Sequence, residues 1–236
     1  MQDMTADVII DSAEGMTLLG GGEIGTGDLK EALSLAPSLV AADSGAAAAL
    51  ALGHMPRAVI GDMDSLARAD QARLAPGVLH PVPEQDSTDF EKVLDRVRAP
   101  FAIGLGFLGH RVDHQLANFS ALVQRPAARC LLVGPRDVVF AAPPACALDL
   151  VPDTRLSLYP LAPVTGGSEG LRWPIAGLAF APDGRVGTSN RVARGGPVRL
   201  RFDAPGMLVI LPRSALRPAL AAIRAAPPWP APARGG

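Results

Sequence analysis

Short apolar runs alternate with helical stretches from residue 16 to about residue 139, the rhythm of a parallel α/β sheet. Residues 16–19 read as a first strand, closed by a glycine-rich turn at 20–27. Asp28 is a good N-cap for a helix through Leu35, and Pro37 enforces its end. Residues 39–42 form the next predicted strand, followed by an alanine-rich helix over 44–52 with Gly53 as its stop. A third strand at 58–60 runs into Gly61-Asp62-Met63-Asp64-Ser65, and residues 78–83 read as extended. Thr88-Asp89-Phe90-Glu91 has capping-box spacing and opens a helix through Arg98. Residues 101–104 and 130–133 are further strands, with a helix over 113–123 between them. Such βα units fit a doubly wound sheet, which binds ligands at the carboxyl ends of its strands.

The pattern changes after Pro143-Pro144. Short β-type runs at 156–158, 179–180, 198–202 and 207–211 are separated by Gly, Pro, Asp and Ser, and none has a helical period. They predict a small all-β domain from about 145 to 213. Residues 215–225 can form one helix, while the closing Pro-Pro-Trp-Pro-Ala-Pro-Ala-Arg-Gly-Gly reads as disordered.

Composition narrows the class. The chain has 236 residues, 48% of them hydrophobic and 19% charged, which is ample for a buried core. A net charge of -1 removes the global electrostatic argument for nucleic-acid or anionic-membrane binding. No apolar run approaches the ~20 residues of a membrane span, and the acidic N-terminus lacks the pattern of a signal peptide. Cys130 and Cys146 are too few for a disulfide framework and read as buried thiols. A cytoplasmic globular protein is expected.

Four polar stretches interrupt the predicted strand ends. Gly20-Gly21-Gly22-Glu23-Ile24-Gly25, with Asp43 at the end of the next strand, approximates a dinucleotide fingerprint, but its helix begins beyond the motif. It is either a long turn or a phosphate neighbourhood. In the second stretch, Asp62 and Asp64 stand two apart at a strand end, where both can point to one side. Two bare carboxylates so close repel, and a divalent cation such as Mg²⁺ with substrate phosphates resolves the conflict. A solvated polar turn is the plainer alternative.

The third stretch holds Gln85, Asp86 and Asp89 at one helix entrance. The helix dipole alone accounts for Asp89, whereas a metal–phosphate site accounts for the crowding. In the fourth, Arg111 offers a fork suited to phosphate oxygens, and Asp113 can cap a helix. His114 and Asn118 lie four apart on one helical face, so His114 is either structural or catalytic.

Taken in order, Ala-Asp-Ser-Gly-Ala, Gly-Asp-Met-Asp-Ser, Asp-Ser-Thr-Asp-Phe-Glu-Lys and Gly-His-Arg-Val-Asp-His-Gln-Leu-Ala-Asn resemble the thiamine pyrophosphokinase (thiamine diphosphokinase) family. Gly170-Leu171-Arg172-Trp173-Pro174 and Thr188-Ser189-Asn190 extend the resemblance, which covers roughly residues 16–212. It implies an α/β fold with a Rossmann-like nucleotide-binding catalytic domain at 1–142, a β-sandwich thiamine-binding domain at 143–213 and a tail at 214–236. It further implies a homodimer with sites between subunits, and transfer of the terminal pyrophosphate of ATP to the hydroxyethyl oxygen of thiamine, leaving AMP. Asp62, Asp64 and Asp89 would hold Mg²⁺ and the triphosphate, with Gln85 and Asp86 beside them. Asp43, Arg111, His114 and Asn118 would line the nucleotide side. Trp173, Ser189 and Asn190 would form the thiamine pocket. Asp113 or His114 is the available base for the thiamine alcohol. Trp173 suits a cationic ring, its alternative being a core aromatic.

The chain departs from the family pattern at three places. Asp43-Ser44-Gly45-Ala46-Ala47 lacks the usual amide, His110 replaces a glycine, and Arg191 follows the Ser-Asn pair where an acid is common. A cation beside cationic thiamine is unfavourable, so Arg191 is expected to face away. Three rivals share parts of the pattern. A pyrophosphokinase for another alcohol, such as a hydroxymethylpterin, keeps the acids but need not keep the β domain. A nicotinamide-dependent oxidoreductase leaves the acids unexplained. A nucleotide or thiamine sensor would bind without turnover.

Overall fold

The computed structural model describes residues 7–25, 27–109, 111–193 and 196–230. It is mixed α/β and divides into two units, one of residues 1–121 and 130–135, the other of 122–129 and 136–236.

The first unit contains β1 (Ile10–Asp11), β2 (Met16–Leu19), α1 (Asp28–Leu35), β3 (Ser38–Ala42), α2 (Gly45–Ala51), β4 (Ala58–Gly61), α3 (Arg68–Gln71), β5 (Leu79–Pro81), α4 (Asp89–Arg96), β6 (Val97–Arg98), β7 (Ala102–Leu105), α5 (Val112–Gln124) and β8 (Cys130–Val133). Six strands pair in parallel in the order β8-β7-β2-β3-β4-β5. β2, β3, β4, β7 and β8 are buried throughout, which is why their sequences are continuous apolar runs rather than alternations. Ala41, Ala46, Val59, Leu66 and Val78 form one apolar cluster of this core.

From β2 the chain steps through β3, β4 and β5 on one side, then returns to place β7 on the other. The strand order therefore reverses between β2 and β7, where a doubly wound sheet opens its ligand crevice. Two local readings change. The α1 N-cap is Gly27, with φ 88°, and Asp28 is the first helical residue, its Oδ2 accepting from the Gly25 N–H at 2.8 Å. The helix expected through Arg98 stops at Arg96, because Val97 and Arg98 pair with Ile10 and Asp11.

The second unit contains β9 (Asp137–Ala141), β10 (Ala145–Leu148), β11 (Arg155–Pro160), β12 (Val164–Glu169), β13 (Ala179–Phe180), β14 (Gly187–Arg191), β15 (Val198–Phe202), β16 (Met207–Pro212) and α6 (Leu216–Ala225). Its strands are antiparallel, in the orders β14-β11-β16-β9 and β10-β15-β12-β13. β12 and β14, read Val-Thr-Gly-Gly-Ser-Glu and Gly-Thr-Ser-Asn-Arg, carry almost no β pattern, and their partners β15 and β11 hold them extended. The helix expected over 215–225 forms and packs against β10, with Leu216, Ala219, Leu220, Ala222 and Ile223 buried. Beyond it, the Trp229 indole N–H donates to the Ala142 carbonyl at 3.1 Å, so this stretch of the expected disordered tail is held. Residues 231–236 of that tail lie outside the described residues.

Both cysteines are free and buried, and burial pushes each thiol up to about 12. Among the described residues no helix is long and apolar enough to cross a membrane.

Candidate functional site

A cleft of about 550 Å³ opens at the carboxyl edge of the parallel sheet in the first unit. One wall is the glycine turn after β2. The Gly20 N–H donates to the Leu105 carbonyl at 2.8 Å and the Gly22 N–H to the Gly106 carbonyl at 2.9 Å. A Cβ on either glycine would stand 2.7 Å from the Gly106 oxygen, so the glycines let the β2 and β7 loops meet backbone to backbone. The turn thus has a structural cause, and Gly20, Gly21 and Gly22 still line the cleft.

Opposite lie the acids. Asp62 and Asp64 do not converge through strand alternation, because β4 ends at Gly61. Met63 between them sits in the left-handed region at φ 66°, and this turn folds the Asp64 N–H onto Asp62 Oδ1 at 3.3 Å. Asp43, at φ 40°, brings a third carboxylate, and one oxygen from each of Asp43, Asp62 and Asp64 lies within 4.8 Å of the others. Ser189, at φ 62°, is another non-glycine residue in this strained conformation, which clusters at ligand sites.

Asp43 is 1% exposed and its Oδ1 has no hydrogen-bond partner, while Oδ2 accepts from the Ser65 N–H at 3.3 Å. Burial raises its carboxyl above the usual range, more than the Ser65 hydrogen bonds lower it, and Asp62 and Asp64 add to the rise. A buried carboxylate with one unpartnered oxygen, clustered with two further carboxylates, fits a divalent cation. Asp43, expected on the nucleotide side, therefore stands inside the acid cluster. So deep an acid is also poorly placed to hold a ribose, which counts against the nicotinamide reading.

Asp89 lines the cleft from the first turn of α4. Burial, with Asp43 next, pushes it up to about 6, against the opposing pull of Lys92. Lys92, one helical turn on, was not singled out from the sequence. It is 1% exposed, and its Nζ donates to Asp62 Oδ2 at 2.9 Å and lies 3.7 Å from Asp89. The lysine hydrogen bond is the main cause holding Asp62 down at about 2. The signal available in the sequence was its i,i+3 spacing from Asp89 behind a capping box. That box is formed, the Thr88 hydroxyl accepting from the Glu91 N–H and the Glu91 carboxylate from the Thr88 N–H.

Gln85 joins the cluster through its amide, which donates to Asp62 Oδ2 at 3.3 Å. Asp86 is exposed and does not line the cleft; its backbone N–H serves Glu84 instead. Arg111, His114 and Asn118 do line it. Asn118 also donates to the Phe107 carbonyl at 2.8 Å, tying α5 to the β7 loop. Asp113 does not line the cleft. Arg111 grips it through Nε at 3.2 Å and Nη2 at 2.5 Å, and this hydrogen bond holds it down at about 2, a poor proton acceptor. His110 lies outside the described residues.

The second unit carries a separate pocket of about 330 Å³ that gathers Trp173, Ser189 and Asn190. Trp173 is 53% exposed, which excludes the core-aromatic alternative. Arg172 stacks over its ring at 5.2 Å. Asn190 is spent internally. Its Oδ1 accepts from the Trp173 and Arg191 N–H groups at 3.3 and 2.8 Å, and its Nδ2 donates to the Trp173 carbonyl at 2.7 Å. Arg191 points to the Asp153 carbonyl at 3.1 Å and does not line the pocket.

The cleft thus combines a glycine turn, the carboxylates of Asp62 and Asp89 and the Arg111 guanidinium at the carboxyl ends of parallel strands, where open α/β sheets place their ligands. Residues 29–132 match the family described as thiamin pyrophosphokinase, catalytic domain. A rice protein named thiamine pyrophosphokinase 1 is 24% identical over 158 residues, covering 59% of this chain and 60% of that protein. The fold is shared with the thiamin pyrophosphokinase of Geobacillus thermodenitrificans, at 21% identity and a TM-score of 0.68, over 84% of this chain and 96% of that one. It is shared too with that of Candida albicans, at 14% identity and a TM-score of 0.72, over 90% and 95%.

Proposed function

We propose that this chain is a thiamine pyrophosphokinase, moving the terminal pyrophosphate of ATP to the hydroxyethyl oxygen of thiamine and releasing AMP. The observation that carries the reading is the convergence of Asp43, Asp62 and Asp64, of which Asp62 lines one cleft together with Asp89, the glycine turn, Arg111 and His114. Asp62 and Asp64, with Asp43 or Asp89 beside them, would hold Mg²⁺, which when bound neutralises the triphosphate and polarises the phosphorus under attack. The thiamine oxygen bonds to the β-phosphorus as the bond to the α-phosphate oxygen breaks, and the α-phosphate leaves with adenosine as AMP. Such transfer depends on positioning and charge more than on covalent chemistry.

Each remaining part of the cleft takes a role. The glycine turn approaches the phosphates with bare backbone, and Arg111 offers its guanidinium to their oxygens. His114 lines the cleft and receives the hydroxyl proton, a better candidate than the paired Asp113. In the pocket of the second unit, Trp173 offers an electron-rich face to the thiazolium, Ser189 a polar edge, and Asn190 sets the Trp173 backbone.

The family resemblance supplies the rest of this reading: a Rossmann-like nucleotide domain at 1–142, a β-sandwich thiamine domain at 143–213, and a cytoplasmic homodimer in which each thiamine pocket serves the partner's nucleotide cleft. Incubation with thiamine, ATP and Mg²⁺, resolving AMP from ADP, is the test. AMP together with thiamine diphosphate is expected. ADP, AMP formed only with a pterin alcohol, or binding without turnover each refutes the proposal.

A further inference from the structure

Among the described residues, Lys92 is the one cationic side chain in the buried set. Nothing in its packing calls for a charge. Its helix is fixed by the capping box, by the Lys92 N–H donating to the Thr88 carbonyl at 2.8 Å, and by Phe90 against Phe107 with ring centroids 4.6 Å apart. A buried ion pair recovers its desolvation cost poorly, and an apolar residue of similar volume commonly serves stability as well. Yet the ammonium lies 2.9 Å from Asp62 and 3.7 Å from Asp89, and Lys92 lines the cleft. Asp62 is one of the three acids whose oxygens converge.

We propose that Lys92 is a positioning residue that acts through Asp62: it fixes one carboxylate oxygen and, by its charge, limits how tightly the acid cluster holds a divalent cation. The inference rests on the phosphotransfer reading, in which the cation is shared with a triphosphate that must enter and leave. Asp62 Oδ2 is occupied by both Lys92 and Gln85, while Oδ1 faces the Asp64 backbone. An acid cluster without this internal cation would carry one more net negative charge. It would bind a divalent ion more tightly and orient it less well.

The sign of the effect separates this role from simple packing. Loss of a purely structural residue loosens the site, weakening metal binding and turnover together. Loss of an internal competitor strengthens metal binding while turnover falls. The experiment measures Mn²⁺ affinity of the full chain by electron paramagnetic resonance, without nucleotide, for wild type, Lys92→Gln, Lys92→Met and Lys92→Arg, with kcat and thermal melts alongside. Both neutral variants are expected to bind Mn²⁺ about tenfold more tightly and to turn over more slowly, while Lys92→Arg stays within about twofold of wild-type affinity. Unchanged or weaker Mn²⁺ binding by folded neutral variants overturns the proposal. So does failure of both neutral variants to fold, which would make Lys92 a structural counter-charge. Wild type that neither binds Mn²⁺ nor forms AMP instead refutes the phosphotransfer reading. Wild type that does both, beside neutral variants that bind no more tightly, refutes only the role of Lys92.

Discussion

Replacing Asp43 with Asn should make the metal-free protein more stable and the enzyme inactive. Asp43 is buried with Oδ1 unpartnered, and a buried polar atom left in that state costs roughly 1–3 kcal/mol, most when the group is charged. Asparagine keeps the shape, tolerates the left-handed φ of 40°, and can still accept from the Ser65 N–H. It removes the charge but leaves an unpaired amide, which retains about 1 kcal/mol of the cost. The net gain is up to about 2 kcal/mol, or up to about 8 °C in Tm for a chain of this size. The sign with pH follows from the raised Asp43 pKa. A folded acid that binds its proton more tightly than the unfolded chain loses stability as pH rises above the ordinary value of 3.8. The advantage of Asp43→Asn should therefore be full at pH 7–8 in chelator and close as pH falls toward 3.8. Thermal melts across that range, with chelator or Mg²⁺, read the effect. Mg²⁺ should raise the Tm of wild type more than that of the variant. A variant less stable than wild type at pH 8 in chelator, or equal Mg²⁺ shifts in both, would refute the argument.

Two further substitutions test other joints of the fold. Asn190→Ala removes three hydrogen bonds to the Trp173 and Arg191 backbone, so the thiamine KM should rise several-fold while the ATP KM stays put; equal rises in both would mean a general collapse. Gly45→Ala places a Cβ into the Leu19 carbonyl oxygen at the α2–β2 contact and should cost about 3 kcal/mol or more, read as a lost Tm or lost soluble yield. A normal melt would show that α2 need not seat so closely.

Much of this protein is written locally. Buried parallel strands must be continuous apolar runs, so β2, β3, β4, β7 and β8 stand out at once, and the capping box marks the start of α4 to the residue. The ordered motifs also named groups that the fold gathers in one cleft: the glycine turn, Asp62, Asp89 and Arg111. Less could be read where a strand exists only because a neighbour pairs with it. β12 and β14 are polar and glycine-rich, and Val97-Arg98 left its helix to meet Ile10-Asp11.

The roles within the site were a tertiary decision. Asp43 and Asp62 lie on different strand ends, and only the β3–β4 pairing, with Gly61 set against Asp43, brings them together. Left-handed turns at Asp43 and Met63, invisible to a period-based reading, aim the three carboxylates at one point. Burial then separated their behaviour, pushing Asp89 up to about 6 while Lys92 holds Asp62 at about 2. Sequence determined which chemical groups were available and on which elements, because propensity and periodicity act within a few residues. Which groups share a charge, a proton or a cation was decided by the tertiary structure, because electrostatic energy depends on distance and burial, and only the folded sheet sets those.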